Sequence, residues 1–256
     1  MNDIYCWETK FKPCYYSDRL LNKISCLNEK VTTKQRIDLL EIKKAIYYAK
    51  KYHSGQMRDS GEPYYTHPLE VAYILAEYAA DEDQKYFVTD LLVTSVLHDT
   101  IEDTKLTFAL IKNIFSEIIA NQVMDLTRIK EDGSKISSAK MLKLLWSQKK
   151  YGLLIIKLID RLHNMQTIQA KSTEKIQKTA NETFESFIAF TMYTQFKNLE
   201  TLIYQFCCKT LSIEIVPEML QATEDASRLA NLEDTDMYQL LSRVFQNIII
   251  PTENSM

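Results

Sequence analysis

The chain has 256 residues, of which 46% are hydrophobic and 25% charged, and its formal net charge is −3. These proportions suit a globular protein with a substantial core, and the slightly acidic balance argues against a nucleic-acid binder. No run of about 18 apolar residues is present, and the opening MNDIYCWETKFK has no apolar signal core, so neither a membrane span nor export is expected.

Four glycines and five prolines are few for this length. Few turns and long regular elements follow, which predicts an all-α protein. The five cysteines (Cys6, Cys14, Cys26, Cys207, Cys208) have no metal-site spacing and are odd in number. Without an export signal they read as reduced thiols, and the expected location is cytoplasmic.

Residues 1–33 show no clear periodicity and are read as an N-terminal extension packed on the body. Residues 34–210 are expected to form the main domain, and 211–256 a C-terminal helical segment packed on it. Thr32 or Thr33 could cap a helix in which Ile37, Leu40, Ile42, Ala45, Ile46 and Ala49 recur at helical spacing. The loop GEPYYTHP follows, with Pro68 expected at the first position of the next helix. Thr107 is a candidate cap for a helix through Ile119. Residues 130–134 read as an exposed loop. Helices are predicted over about 137–149 and 153–170, then one long helix from Thr173 towards Cys208, and a last pair over about 218–230 and 234–249.

The segment from Leu91 to Thr104 organises the rest. An apolar run that looks buried ends in His98, Asp99, Glu102 and Asp103. Such a group costs several kcal/mol to bury without a partner, and a divalent cation is the simplest one. Imidazole with carboxylate suits manganese, iron or zinc, the carboxylates favouring the harder end. Acids at a helix C-terminal end also oppose the helix dipole, unlike an ordinary acidic cap. Carboxylates one turn beyond the His-Asp pair could orient a water or take its proton.

Two further groups are candidates. In KLIDRLHNMQT, Ile155, Leu158, Ile159, Leu162 and Met165 form an apolar face, with Lys157, Asp160, Arg161, Asn164 and Thr167 opposite. By pattern alone the polar stripe would face solvent, but the apolar Leu153–Ile156 run makes the helix central and the stripe a cavity lining. His67 stands in YYTHP after Arg58, and either residue alone would be unremarked.

Together these three elements supply an ordered H…HD…D set, the signature of the HD phosphohydrolases. HSGQMRDSGEPYYTHP, LLVTSVLHDTIEDT and KLIDRLHNMQTI closely resemble the hydrolase half of the RelA/SpoT enzymes over about residues 35–210. The resemblance implies an HD-domain helical bundle in which His67, His98, Asp99 and Asp160 hold one Mn2+. It implies that Glu102 and Asp103 activate the water, and that Arg58, Ser60, Tyr64, Arg161, Asn164 and Thr167 bind substrate. The implied reaction is hydrolysis of the 3′-pyrophosphate of ppGpp or pppGpp to GDP or GTP plus pyrophosphate. The implied partner is that nucleotide, with no nucleic acid and no membrane, and an oligomer is neither required nor ruled out. One departure is Asp59, where many relatives carry a second basic residue after the Arg. It leaves room for another phosphorylated nucleotide or cofactor as substrate. A non-catalytic alarmone-binding protein would be expected to lose a ligand or the Glu-Asp pair, and neither is lost.

Overall fold

The computed structural model describes residues 6–32, 36–129, 133–194 and 196–211. Among them the regular structure is helical, with only two isolated β-bridges, Met57 to Pro63 and Ile129 to Lys135. The helices are α1 (Trp7–Lys10), α2 (Tyr15–Lys30), α3 (Leu39–Tyr52), α4 (Thr66–Asp81), α5 (Thr89–Leu97), α6 (Thr100–Asp103), α7 (Phe108–Ile114), α8 (Glu117–Leu126), α9 (Ser138–Ser147), α10 (Tyr151–Gln166), α11 (Thr173–Ser186), α12 (Ile188–Tyr193) and α13 (Lys197–Leu211). The chain divides into two compact units, residues 1–163 and 164–256. None of the described helices is long and apolar enough to cross a membrane.

In the first unit α5 is the central element, with every residue from Leu91 to Leu97 buried. It packs against α3, α4 and α8, and α2 lies across α3 and α4. Burying one such aliphatic side chain contributes about 1.5–3 kcal/mol, so α5 is held firmly enough to carry polar groups at its end. Gly152 in α10 lets the Leu91 side chain approach to 3.1 Å of where its own Cβ would sit, which brings the start of α10 close to α5. In the second unit α11, α12 and α13 pack on one another.

Several local expectations change. Residues 15–30 form a regular amphipathic helix that buries Leu20, Leu21, Ile24 and Leu27. Its aromatic neighbours Trp7, Tyr15 and Tyr16 obscured that spacing in the sequence. Asp38, rather than a threonine, caps α3 by accepting from the N–H groups of Leu40 and Glu41. Pro68 is the third residue of α4, where its missing N–H is still one of the unsatisfied first-turn donors. Thr107 caps only α7, and Ser116 starts a separate α8. The long helix expected from Thr173 is interrupted at Phe187 and again after Tyr193. No glycine or proline marks either break. The expected helices at 218–230 and 234–249, Thr33, and residues 130–132 of the expected loop lie outside the described residues.

Candidate metal centre

Three elements of the first unit deliver the site. α5 ends at Leu97 and His98 is its C-cap, while Asp99 takes the N-cap position of the short α6. Glu102 and Asp103 therefore begin a new helical turn rather than trailing the end of the old one. The helix dipole therefore does not oppose these acids, and only the side-chain geometry points to a cation. α4 carries His67 in its first turn, and α10 carries Asp160.

One ring nitrogen each of His67 and His98 and a carboxylate oxygen of Asp160 all lie within 4.8 Å of one another. His67 Nε2 is 3.1 Å from Asp160 Oδ1 and 3.7 Å from Asp99 Oδ2. His98 Nε2 is 3.0 Å from Asp99 Oδ2 and 3.9 Å from Asp160 Oδ1. Both imidazoles are buried, whereas the Asp99 and Asp160 side chains keep 14% and 18% exposure and so open the cluster to one side.

The tautomers suit a cation. His98 Nδ1 lies 2.8 Å from the Ser95 carbonyl, to which only an N–H can donate. Nε2 is then the bare nitrogen, and it is buried without a hydrogen-bond partner among the described residues. An orphaned nitrogen amid an imidazole and two carboxylates is what a bound divalent ion would satisfy. His67 is held likewise, its Nδ1 2.9 Å from Nδ1 of His163. Burial, with the nearby charge of Arg58 among the lesser causes, depresses the pKa of His163 to about 3. A carboxylate only accepts, so without a cation His67 Nε2 donates to Asp160 Oδ1 at 3.1 Å. A cation on Nε2 would move that proton to Nδ1, where the neutral His163 ring can accept it. Such outer partners orient ligand imidazoles and raise their basicity. His163 was quoted within its motif but given no role in the sequence reading, because nothing in sequence marks which face of α10 it joins.

The charges are coupled. Burial pushes the Asp99 carboxyl up, but His98 and Lys157 outweigh that and it titrates below the usual range. Asp160 behaves alike, with Lys157 and the two histidines overcoming burial. Lys157 is 8% exposed and holds Nζ 3.6 Å from Asp160 Oδ2. Burial opposes a proton on His98, yet Asp99 and Asp160 raise its pKa on balance.

Asp103 and Glu102 sit differently. The Tyr64 hydroxyl is 3.0 Å from both Asp99 Oδ2 and Asp103 Oδ2. Having one proton, it donates to only one of them at a time. Burial and the charge of Asp99 push the Asp103 carboxyl up despite that hydroxyl. Glu102 is engaged elsewhere. Its Oε2 accepts from the Arg128 backbone N–H at 3.1 Å, and its Oε1 from the Arg128 guanidinium at 3.2 Å and Lys135 Nζ at 3.1 Å.

The remaining predicted residues divide by location. Arg58 is half-buried in a turn closed by the Gly61 N–H on its carbonyl, and Gly61 has φ +88°, a backbone conformation that favours glycine. Ser60 and Asp59 in the same turn are exposed. Arg161 is half-buried and donates to Ser138 Oγ at 3.3 Å. Asn164 and Thr167 belong to the second unit, Asn164 in the last turn of α10 and Thr167 just beyond it.

Known proteins share sequence and fold with this chain. The GTP pyrophosphokinase of Myxococcus xanthus is 39% identical over 146 residues, covering 54% of this chain and 18% of that protein. The guanosine-3′,5′-bis(diphosphate) 3′-pyrophosphohydrolase of Spiroplasma citri is 36% identical over 153 residues, covering 58% of this chain and 20% of that protein. The chain thus spans about a fifth of the length of these relatives. A solved metazoan ortholog of SpoT, described as hydrolysing ppGpp, superposes with a TM-score of 0.54 at 21% identity, over 68% of this chain and 97% of that one. The all-helical fold and the RelA/SpoT-type resemblance are both borne out. A family model described as the HD domain matches residues 45–191, more than half of the sequence, and the chain belongs to the HD-domain family.

Proposed function

We propose that the chain hydrolyses the 3′-pyrophosphate of ppGpp and pppGpp in the cytoplasm, using Mn2+ held by His67, His98, Asp99 and Asp160. The observation that carries this reading is the buried His98 Nε2, without a hydrogen-bond partner among the described residues, beside the His67 imidazole and two carboxylates. When bound, a divalent cation lowers the pKa of a water and offsets phosphate charge.

The protein's own groups supply the rest. Asp103 is the base: its carboxyl is raised above the usual range, it is exposed, and Tyr64 holds it beside Asp99. A general base works best when its pKa approaches the operating pH. Glu102, expected from sequence to share that task, has both oxygens engaged by Arg128 and Lys135 and contributes by holding those cations. Phosphoryl transfer depends mainly on positioning and positive charge. Arg128, Lys157 and Arg161 supply that charge, and Arg58 with Ser60 receives the nucleotide. Tyr64, expected as a substrate contact, acts through the two carboxylates. Asn164 and Thr167 are assigned to the nucleoside on the sequence resemblance alone.

The test is purified chain with Mn2+ and a panel of ppGpp, pppGpp and other 2′- or 3′-phosphorylated nucleotides, the products separated by ion exchange. GDP and pyrophosphate from ppGpp support the reading. Turnover of a different nucleotide with ppGpp untouched moves the substrate, and turnover of none removes the enzymatic reading.

A further inference from the structure

His53 is 1% exposed at the C-terminal end of α3, and the sequence reading assigned it nothing. Its Nδ1 is 2.7 Å from Gln56 Oε1, and Gln56 Nε2 donates to the backbone carbonyl of Asp103 at 2.8 Å. A carbonyl can only accept, so the amide must turn its NH2 to Asp103 and its oxygen to His53. His53 Nδ1 is therefore the protonated nitrogen, and Nε2 is left bare, buried and without a hydrogen-bond partner among the described residues. Leaving such an atom unsatisfied is costly, and a phenyl ring would fill the same space without that cost.

The same loop holds the other end of Asp103. The Tyr64 ring stacks on His53 with centroids 4.7 Å apart and planes 25° from parallel, and the Tyr64 hydroxyl meets Asp103 Oδ2. Between these anchors the backbone is closed by Tyr64 N–H to the Gln56 carbonyl at 2.9 Å and Arg58 N–H to the Glu62 carbonyl at 2.8 Å. One closed loop thus grips Asp103 by its main chain through Gln56 and by its carboxylate through Tyr64, and it also carries Arg58.

We propose that His53 and Gln56 are positioning residues, which fix the Asp103 carboxylate beside the cation site and join it rigidly to the Arg58 turn. The proposal rests on the functional reading above, in which Asp103 is the base. His53 acts by fixing the Gln56 amide, and Gln56 by fixing the Asp103 backbone. A small misplacement of a reacting group is enough to cost about a hundredfold in rate.

The 256-residue chain and the variants Gln56→Leu, His53→Phe and His53→Asn are compared. His53→Phe keeps a ring to stack on Tyr64 but removes the donor, whereas His53→Asn returns a donor without the ring. Steady-state hydrolysis of ppGpp, Mn2+ affinity by calorimetry, and hydrogen exchange of the peptide covering 100–106 are measured on each. Gln56→Leu and His53→Phe are expected to lower kcat 10–100-fold, with KM within threefold and Mn2+ affinity within twofold of wild type. Exchange over 100–106 should quicken at least tenfold while that over 153–162 stays unchanged, and His53→Asn should recover part of the kcat lost in His53→Phe. Unchanged kcat and exchange in folded Gln56→Leu overturn the proposal, as does loss of Mn2+ affinity in step with kcat. If wild type does not hydrolyse ppGpp, the functional reading fails, and the exchange measurement alone decides whether the brace holds Asp103.

Discussion

His163 meets His67 nitrogen to nitrogen, Nδ1 to Nδ1 at 2.9 Å, on the opposite side of the ring from the Nε2 that faces Asp160. With a cation on Nε2, His67 would carry its proton on Nδ1 and donate it to His163, which burial keeps neutral by depressing its pKa to about 3. Replacing His163 by Phe should weaken Mn2+ binding 10–100-fold, the usual loss when an outer partner of a ligand is removed. His163→Gln, which can still accept, should lose less. Calorimetric titration of both variants checks this, and equal affinity in wild type and His163→Phe would refute it.

Glu102→Gln should act mainly on stability and on the placement of Arg128. Burial raises the Glu102 pKa, but Arg128 and Lys135 lower it further, so the net shift is downward. A carboxyl depressed on folding stabilises above its unfolded pKa, and that contribution is lost as pH falls through its folded value. The cationic partners are 39% and 57% exposed, which limits the contribution to about 1 kcal/mol. Urea unfolding should show that deficit at pH 7 and a shrinking one as the pH falls below the ordinary carboxylate range. A deficit independent of pH would contradict it.

Tyr64→Phe should move the acid limb of the pH–rate profile to higher pH. The Tyr64 hydroxyl stabilises the ionised Asp103 and so lowers its pKa against the upward push of burial and Asp99. Without the hydroxyl the carboxyl takes its proton at higher pH, and a base is useless once protonated. Profiles of kcat for wild type and Tyr64→Phe decide the matter, and a limb that stays in place or moves down excludes Asp103 as the base.

Much of the site was legible because its residues are rare at such positions. His98 and Asp99 stood out because a largely apolar, buried α5 leads straight into them, and Asp160 because α10 is apolar before it. The division of labour between Glu102 and Asp103 was not legible. It depends on Arg128 and Lys135, 26 and 33 residues further along, reaching back to Glu102. The roles of His53, Gln56 and His163 were hidden for the same reason, since each is defined by a partner brought in by tertiary packing. In the fold, α2 was missed because its apolar positions stand beside aromatic residues, and the breaks around α12 because no residue there forbids a helix.

Asp59 is exposed in the Arg58 turn, where solvent screens its charge. Asp59→Lys should lower KM for ppGpp about twofold at low salt, with kcat unchanged, because uniform binding leaves the chemical step alone. The difference should vanish at about 0.5 M salt, where the Debye length is only a few Å. Kinetics at two salt concentrations check this, and a change in kcat would show that Asp59 acts on more than binding.

A single divalent cation held by His67, His98, Asp99 and Asp160 underlies all of the proposed chemistry. Calorimetric titration of the 256-residue chain with Mn2+, beside the variants His98→Ala and Asp160→Ala, tests it most directly. The predicted result is one saturable site in the wild type, and its loss in each variant while helical circular dichroism is retained. Saturable binding that survives either substitution, or none in the wild type, would contradict the claim.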